Sequence, residues 1–360
     1  MARAFDRKLI LENGAEFAGY GFGAVCERIC EIVFNTSMVG YQEIISDPSH
    51  AAQIVCMTYP VIGSYGVNDE DDESRNPTIG GLVVRDYNDV PSNFRYTKTL
   101  SEAMEEDGIP GIYGVDTRAI ARIIGREGTM RAMLTSADTA KEDALAAIAA
   151  WTPNRKIAES VSCKKRWYSR TPNPKYNVVA VDCGIKLSSV RAFNAHGCNV
   201  TVVPIGTTEA EILALKPDGL YISNGPGAAE DVPGVIALIR AFRGRLPIFG
   251  AGLGHELIAL TCGARVFKMK AGHQGGNHPV RNLDTGKIEI NAQSHGYCVD
   301  PESFTGTGLR MTHQNVLDGT LEAMESTEYP MFSSQFNPGA EHELYDRFIR
   351  MMEEGRKRNA

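Results

Sequence analysis

From residue 177 onward, short and wholly apolar runs alternate with amphipathic stretches. Val178-Val179-Ala180-Val181, residues 199–203 and Gly219-Leu220-Tyr221-Ile222-Ser223 read as buried strands, because a strand covered on both faces needs no polar alternation. Residues 186–196, 209–215 and 235–242 read as the intervening helices. This rhythm predicts a doubly wound parallel sheet, with the loops at its strand ends sharing one crevice. The loops at 224–227 and 250–256 should face that crevice, the default binding site of such a sheet. The second of these belongs to the most informative stretch of the chain. At 247–260 three apolar residues run into Gly250, Gly252 and Gly254, and an amphipathic helix follows. That is the pattern of a strand, a tight elbow and a helix whose N-terminus points into the crevice. Elbows of this kind usually carry an attacking Ser or Cys at the tip. Here the tip is Gly252.

The first half follows a different pattern. Residues 8–12, 16–23, 29–35, 53–59 and 81–85 are dense in β-branched and apolar residues, and Asn13-Gly14 is a hairpin turn. Helices are expected later, over 100–106, 117–126 behind an Asp116-Thr117 cap, and 140–151. This half is an α+β, strand-rich domain, with polar loops at 36–50 and 60–80. Charged residues and prolines gather over 152–175 without hydrophobic period, which reads as a linker. The expected division is therefore 1–151, a linker at 152–175, and 176–355. Beyond Gly263 the pattern turns to antiparallel strands over 266–270, 287–293, 296–299 and 310–312. A late strand, 331–336, ends at Asn337-Pro338-Gly339, and a helix over 341–352 closes the fold.

Composition narrows the function classes. A 43% hydrophobic and 22% charged chain of 360 residues has enough apolar material for two full cores. A net charge of −7 argues against a nucleic-acid surface. No apolar run reaches the ~18 residues of a membrane span, and no signal-peptide core opens the chain, so a cytoplasmic protein is expected. The eight cysteines are scattered, with Cys26 and Cys30 the only close pair, which favours buried free thiols over a disulfide framework or a zinc site. No metal is expected.

Specific motifs then carry a resemblance. The first half holds Phe34-Asn35-Thr36-Ser37-Met38-Val39-Gly40-Tyr41-Gln42-Glu43, Asp47-Pro48-Ser49, Thr58-Tyr59-Pro60 and Ser92-Asn93-Phe94-Arg95. The second holds Ser223-Asn224-Gly225-Pro226-Gly227, Lys268-Met269-Lys270, Gly272-His273-Gln274-Gly275-Gly276-Asn277-His278-Pro279-Val280 and Asp318-Gly319-Thr320. Over nearly its whole length the chain resembles the small subunit of carbamoyl-phosphate synthase, whose second half is a flavodoxin-like class I glutamine amidotransferase domain. The resemblance implies docking on a large synthetase subunit, which alone would hold ATP and Mg; no cofactor is implied for this chain. In the family, ammonia cut from glutamine passes through a tunnel and is joined to bicarbonate. The carbamoyl phosphate formed feeds arginine and pyrimidine synthesis.

Glutamine cleavage of this kind needs a thiolate, a His to move the proton and a carboxylate to orient the His. The family carries these as Gly-x-Cys-x-Gly-His-Gln and His-Pro-Glu. This sequence has Gly252 for the Cys, Asn337 for the His and Gly339 for the Glu. Ser37, Gly225, Gly227, Leu253 and Gly296 match the family's glutamine-holding positions, with Gly225 and Leu253 as its oxyanion donors. Glu256, Ser294 and Tyr297 replace the usual Gln, Asn and Phe. Exchange of Gln for Glu at 256 is expected to replace a donor by an acceptor-only charge. Cys183, Cys262 and Cys298 are read as small buried hydrophobes rather than relocated nucleophiles. His255 and His342 do not occupy the lost base position, and His273, His278 and His295 are read as structural hydrogen-bonding residues. The implied function is a small subunit with an emptied glutaminase centre. The alternative is a free-standing module that binds an amine or amino acid in the altered pocket.

Overall fold

The computed structural model describes residues 4–359, which fall into two compact units. One comprises the chain to Asn154 together with Lys270–Gly276; the other comprises Arg155–Met269 and the chain from Asn277 onward.

In the first unit the expected strands form β1 (Arg7–Leu11), β2 (Glu16–Gly23), β3 (Arg28–Asn35) and β4 (Gln53–Met57). They are followed by β5 (Val61–Ile62), β6 (Gly81–Val83), β7 (Asp86–Tyr87), β8 (Pro110–Tyr113) and β9 (Met130–Ser136). Seven of them close into a barrel in the order β1-β2-β8-β6-β4-β3-β9, while β5 and β7 pair separately. Closure leaves no unpaired edge, and it explains why β1 lacks polar alternation. Leu9 and Leu11 point to one cluster with Ile32, Ile54, Cys56, Ile112 and Leu134. Ile10 faces the other way and packs with Ala144 and Ile148. Those two residues lie on α4 (Lys141–Ala150), which follows α1 (Tyr41–Ser46), α2 (Leu100–Glu106) and α3 (Thr117–Glu127). Asp116 caps α3 as expected, its carboxylate accepting from Ala119 N–H at 2.9 Å. The segment 270–276 joins this unit by backbone bonds, Thr36 N–H to Gln274 O at 3.2 Å and Thr129 N–H to Lys270 O at 2.8 Å.

The second unit begins with α5 (Ile157–Val161) and β10 (Trp167–Ser169). Both lie in the stretch expected to be a linker. β10 is an edge strand, pairing antiparallel with β12, and an edge strand of three residues needs no apolar run to announce it. The alternating core follows as β11 (Tyr176–Asp182), α6 (Leu187–Ala195), β12 (Cys198–Pro204), α7 (Glu209–Ala214) and β13 (Gly219–Ile222). It continues through α8 (Pro233–Phe242), β14 (Ile248–Ala251) and α9 (Leu253–Cys262). Then come β15 (Arg265–Asn282), β16 (Ile288–Asp300), β17 (Leu309–Asn315), β18 (Leu321–Ser326), β19 (Met331–Ser334) and α10 (Glu343–Asn359). The strands form one sheet in the order β10-β12-β11-β13-β14-β19-β18-β17-β15-β16, parallel from β12 to β19.

The apolar runs of β11 are explained by burial on both faces. Val179 and Val181 join Ile239, Leu257 and Ile258 of α8 and α9. Val178 and Ala180 join Phe193 of α6 and Phe348 of α10 on the other side. The sheet is doubly wound, as its rhythm predicts. The late strands are longer than expected: 266–270 is part of an 18-residue β15, and 287–293 and 296–299 merge into the 13-residue β16. The Gly- and His-rich residues 272–278 and 295–296 are extended backbone within these strands. Among the described residues no helix is long and apolar enough to cross a membrane.

Candidate functional site at the elbow

The elbow sits where the ends of three parallel strands meet. Gly252, between β14 and α9, has φ 54° and ψ −116°, a conformation strained for any residue with a Cβ. A Cβ there would stand 3.0 Å from Asn224 Cβ, so a side chain at the tip presses on the loop after β13. That loop is bound to the elbow by Gly254 N–H donating to Ser223 O at 3.1 Å. It is bound to the end of β11 by Cys183 N–H donating to Ser223 Oγ at 2.9 Å. Gly225 lies so close to Cys183 O that a Cβ would approach to 2.0 Å, which excludes any other residue there. Its hypothetical Cβ is 3.2 Å from Leu253 Cδ2, so the two positions expected to donate to an oxyanion adjoin. Leu253 is the first residue of α9, where a helix leaves its N–H groups without helical partners.

Gly252 N–H donates to Ser334 O at 2.9 Å, which sets the elbow beside the end of β19. Three residues on, Asn337 N–H donates to Ala292 O at 3.0 Å and so joins the late loop to β16. β16 carries Ser294, Gly296 and Tyr297. The positions at 225, 227, 252, 253, 256, 294, 296, 297, 337 and 339 therefore all belong to the second unit. Ser37 belongs to the first, where its N–H donates to Asn35 Oδ1 at 2.8 Å.

The groups at this site are poor proton movers. Asn337 carries an amide, which neither takes up nor gives a proton near neutral pH, and Gly339 is exposed, with open space where a side chain would be. His255 is fully buried; its Nδ1 lies 2.9 Å from Ser333 Oγ, and burial drives its pKa down to about 3. His295 is held on both nitrogens, by Tyr297 O at 2.8 Å and Gln293 Oε1 at 2.9 Å. His342 stands 3.0 Å from Glu289, with its pKa lowered chiefly by burial.

Glu256 differs from the expectation of an acceptor-only charge. It is 3% exposed and its Oε1 accepts from Gln335 Nε2 at 3.1 Å, while Oε2 has no partner among the described residues. Desolvation raises its pKa to about 8, against the smaller opposing effect of Gln335. At neutral pH the carboxyl is protonated. It then presents one O–H donor and one carbonyl acceptor, one donor fewer than the amide tip of a Gln. Sequence reasoning singled out Glu256 and His255 but missed their partners Gln335 and Ser333. The available signal was the polar run Ser333-Ser334-Gln335 ending an otherwise apolar strand.

The cysteines near the site are shielded. Cys183 is fully buried and its thiol is pushed well above the ordinary range by desolvation; burial pushes Cys298 up to about 12 and also raises Cys262. A thiol at pKa about 12 has on the order of 10⁻⁵ of its population as thiolate at pH 7. Brief alkylation of the native protein at neutral pH, followed by peptide mass spectrometry, should leave Cys183 and Cys298 unmodified. The same treatment in denaturant should modify all eight cysteines. Rapid native labelling of Cys183 or Cys298 would reopen the case for a relocated nucleophile.

Comparison with known proteins covers both units. Residues 9–134 match the family described as the carbamoyl-phosphate synthase small chain, CPSase domain, and residues 179–351 match glutamine amidotransferase class-I. The carbamoyl phosphate synthase small chain of Fusobacterium nucleatum subsp. nucleatum is 44% identical over 98% of this chain and 100% of its own length. That of Listeria innocua serovar 6a is 46% identical over 96% of each. The pyrimidine-specific small chain of Halalkalibacterium halodurans is 44% identical over 98% of each. Identity at this level, end to end and across both units, shows that the chain belongs to the carbamoyl phosphate synthase small-chain family.

Proposed function

We propose that this chain is the small subunit of a carbamoyl-phosphate synthase and that its own glutaminase centre is inactive. It serves as a structural or regulatory subunit of a large, ATP-dependent subunit that uses ammonia and bicarbonate to make carbamoyl phosphate for arginine and pyrimidine synthesis. The single observation behind this reading is the elbow itself: strand, turn and helix are intact around a glycine, with an amide and a second glycine on the adjoining late loop. Relatives named as small chains support the subunit role, since the name implies a larger partner. We further propose a cytoplasmic location for this chain. A free-standing module that binds an amine or amino acid draws less support, because burial keeps Glu256 neutral at pH 7 and so removes the charge that the replacement at 256 would have offered a cation.

Co-expression with the cognate large subunit tests the reading. The two chains are expected to co-purify under native conditions, and the complex to make carbamoyl phosphate from ammonia but not from glutamine. Failure to associate would remove the subunit role. Synthesis from glutamine would remove the inactive centre and leave the subunit role standing.

A further inference from the structure

Two segments of the first unit lie side by side outside the barrel. β5 pairs with β7, Ser92 N–H donates to Ser64 O at 2.9 Å, and Thr97 N–H donates to Val67 O at 2.8 Å. Their inward rings are spoken for: Tyr65 stacks on Tyr41 at 4.1 Å and Tyr87 on Phe22 at 4.5 Å. Their outward side chains are apolar and uncovered. Phe94 is 97% exposed, Val90 73%, Tyr96 45% and Val61 41%. The pairings above set these four residues on two adjoining segments, and exposed apolar side chains gathered on adjoining segments mark an interaction surface more often than scattered ones do.

The turn that carries the ring is fixed. Asn93 Oδ1 accepts from Arg95 N–H at 3.1 Å and Asn93 O accepts from Tyr96 N–H at 3.2 Å, fixing the turn on which Phe94 sits. The next side chain, Arg95, reaches back to Glu70 at 2.9 Å and Asp71 at 3.0 Å. Anchoring one residue inward while its neighbour points outward lowers the ordering cost of docking that neighbour.

Charge around the ring indicates what covers it. Arg85 is paired with Asp86, Arg95 with Glu70 and Asp71, and Lys98 with Glu106. Asp69 and Asp89, both exposed, add negative charge with no further cation on these two segments. The fringe is net acidic. A second copy meeting this face through the same face would set carboxylates against carboxylates.

We infer that the outward face of residues 59–71 and 85–98, anchored by Phe94, is the surface on which the synthetase partner docks, through an apolar pocket fringed by Lys and Arg. This assignment rests on the subunit reading above. Its test is the affinity of the full chain for the large subunit, by sedimentation or calorimetry, for the unaltered protein, Phe94→Glu and Arg95→Ala.

Phe94→Glu should weaken association by about 30-fold or more, as loss of a central aromatic anchor does, with an unchanged melting temperature because the ring contributes nothing to the core. Arg95→Ala should weaken it less, by freeing the turn. Added salt should weaken binding of the unaltered chain through the acidic fringe. Equal affinity for Phe94→Glu and the unaltered chain would overturn the surface and leave the subunit reading intact. Absence of binding by the unaltered chain would overturn both. A homodimer of this chain that Phe94→Glu dissolves would overturn the choice of partner.

Discussion

Glutamine incubated with the purified chain, alone or with its large subunit, is expected to yield ammonia no faster than a protein-free blank. Removing the nucleophile from a triad of this logic costs about six orders of magnitude, and the binding groups that remain do not replace it. The nearby thiols offer no substitute, since Cys183 and Cys298 are buried and protonated. Gly252→Cys alone should stay within about tenfold of the blank, because Asn337 has no lone pair basic enough to take the thiol proton. It also meets a steric demand, the 3.0 Å approach to Asn224 Cβ, which obliges the loop after β13 to shift slightly. On the proposed reading, Gly252→Cys with Asn337→His and Gly339→Glu introduces a thiol, a base and a carboxylate together and should exceed the single variant by roughly 10²-fold or more. A coupled glutamate dehydrogenase assay reads all of these. A clear rate from the unaltered protein, abolished by Cys183→Ser or Cys298→Ser, would contradict the inactive centre.

The adjacent pair His255 and Glu256 should give the second unit a distinctive dependence of stability on pH. For Glu256 the folded pKa, about 8, lies above its ordinary 4.5, so between those values the native state holds a proton that the unfolded chain releases. The stability this contributes is full below about 4.5 and is lost as pH rises through about 8. His255 behaves oppositely: its folded pKa, about 3, lies below its ordinary 6.5, so its contribution is full above 6.5 and is lost as pH falls through about 3. Between pH 4.5 and 6.5 the two slopes cancel, and from 6.5 to 8 Glu256 acts alone. Over that interval it should lower stability by about 2 kcal/mol. Glu256→Gln keeps a carbonyl acceptor for Gln335 Nε2 and the shape but cannot ionise. Urea unfolding at pH 6.5 and 8 should show the difference shrinking by about that amount in the variant. An equal fall in both proteins would show that Glu256 is already ionised in the native state.

How far the sequence could be read depended on where each element lies. β11 to β14 were legible because strands buried on both faces leave continuous apolar runs, and the elbow because its glycines interrupt one of them. Closure of the first-unit barrel was not, since the parallel pairing of β3 with β4 and of β4 with β6 leaves no local signal. α5 and β10 were hidden among charges and prolines for the opposite reason: they sit at the sheet's margin and bury little. At the site, Gly252, Asn337 and Gly339 drew notice only against the pattern of the family that the chain resembles. The fold adds that they lie on neighbouring segments of one unit. The protonation of Glu256 was invisible, because it depends on burial and on Gln335, far along the chain.

The seven residues from Lys270 to Gly276 complete the first unit although they are made long after Asn154. A ribosome therefore releases most of that barrel, and much of the following sheet, before the acceptors Lys270 O and Gln274 O for Thr129 and Thr36 exist. Cutting the gene at the boundary near residue 154 separates two bodies on paper, yet it deprives the first of a piece that only the other half of the message encodes. An isolated N-terminal fragment needs that heptapeptide supplied, by fusion or in trans, to present the same backbone partners as the whole chain.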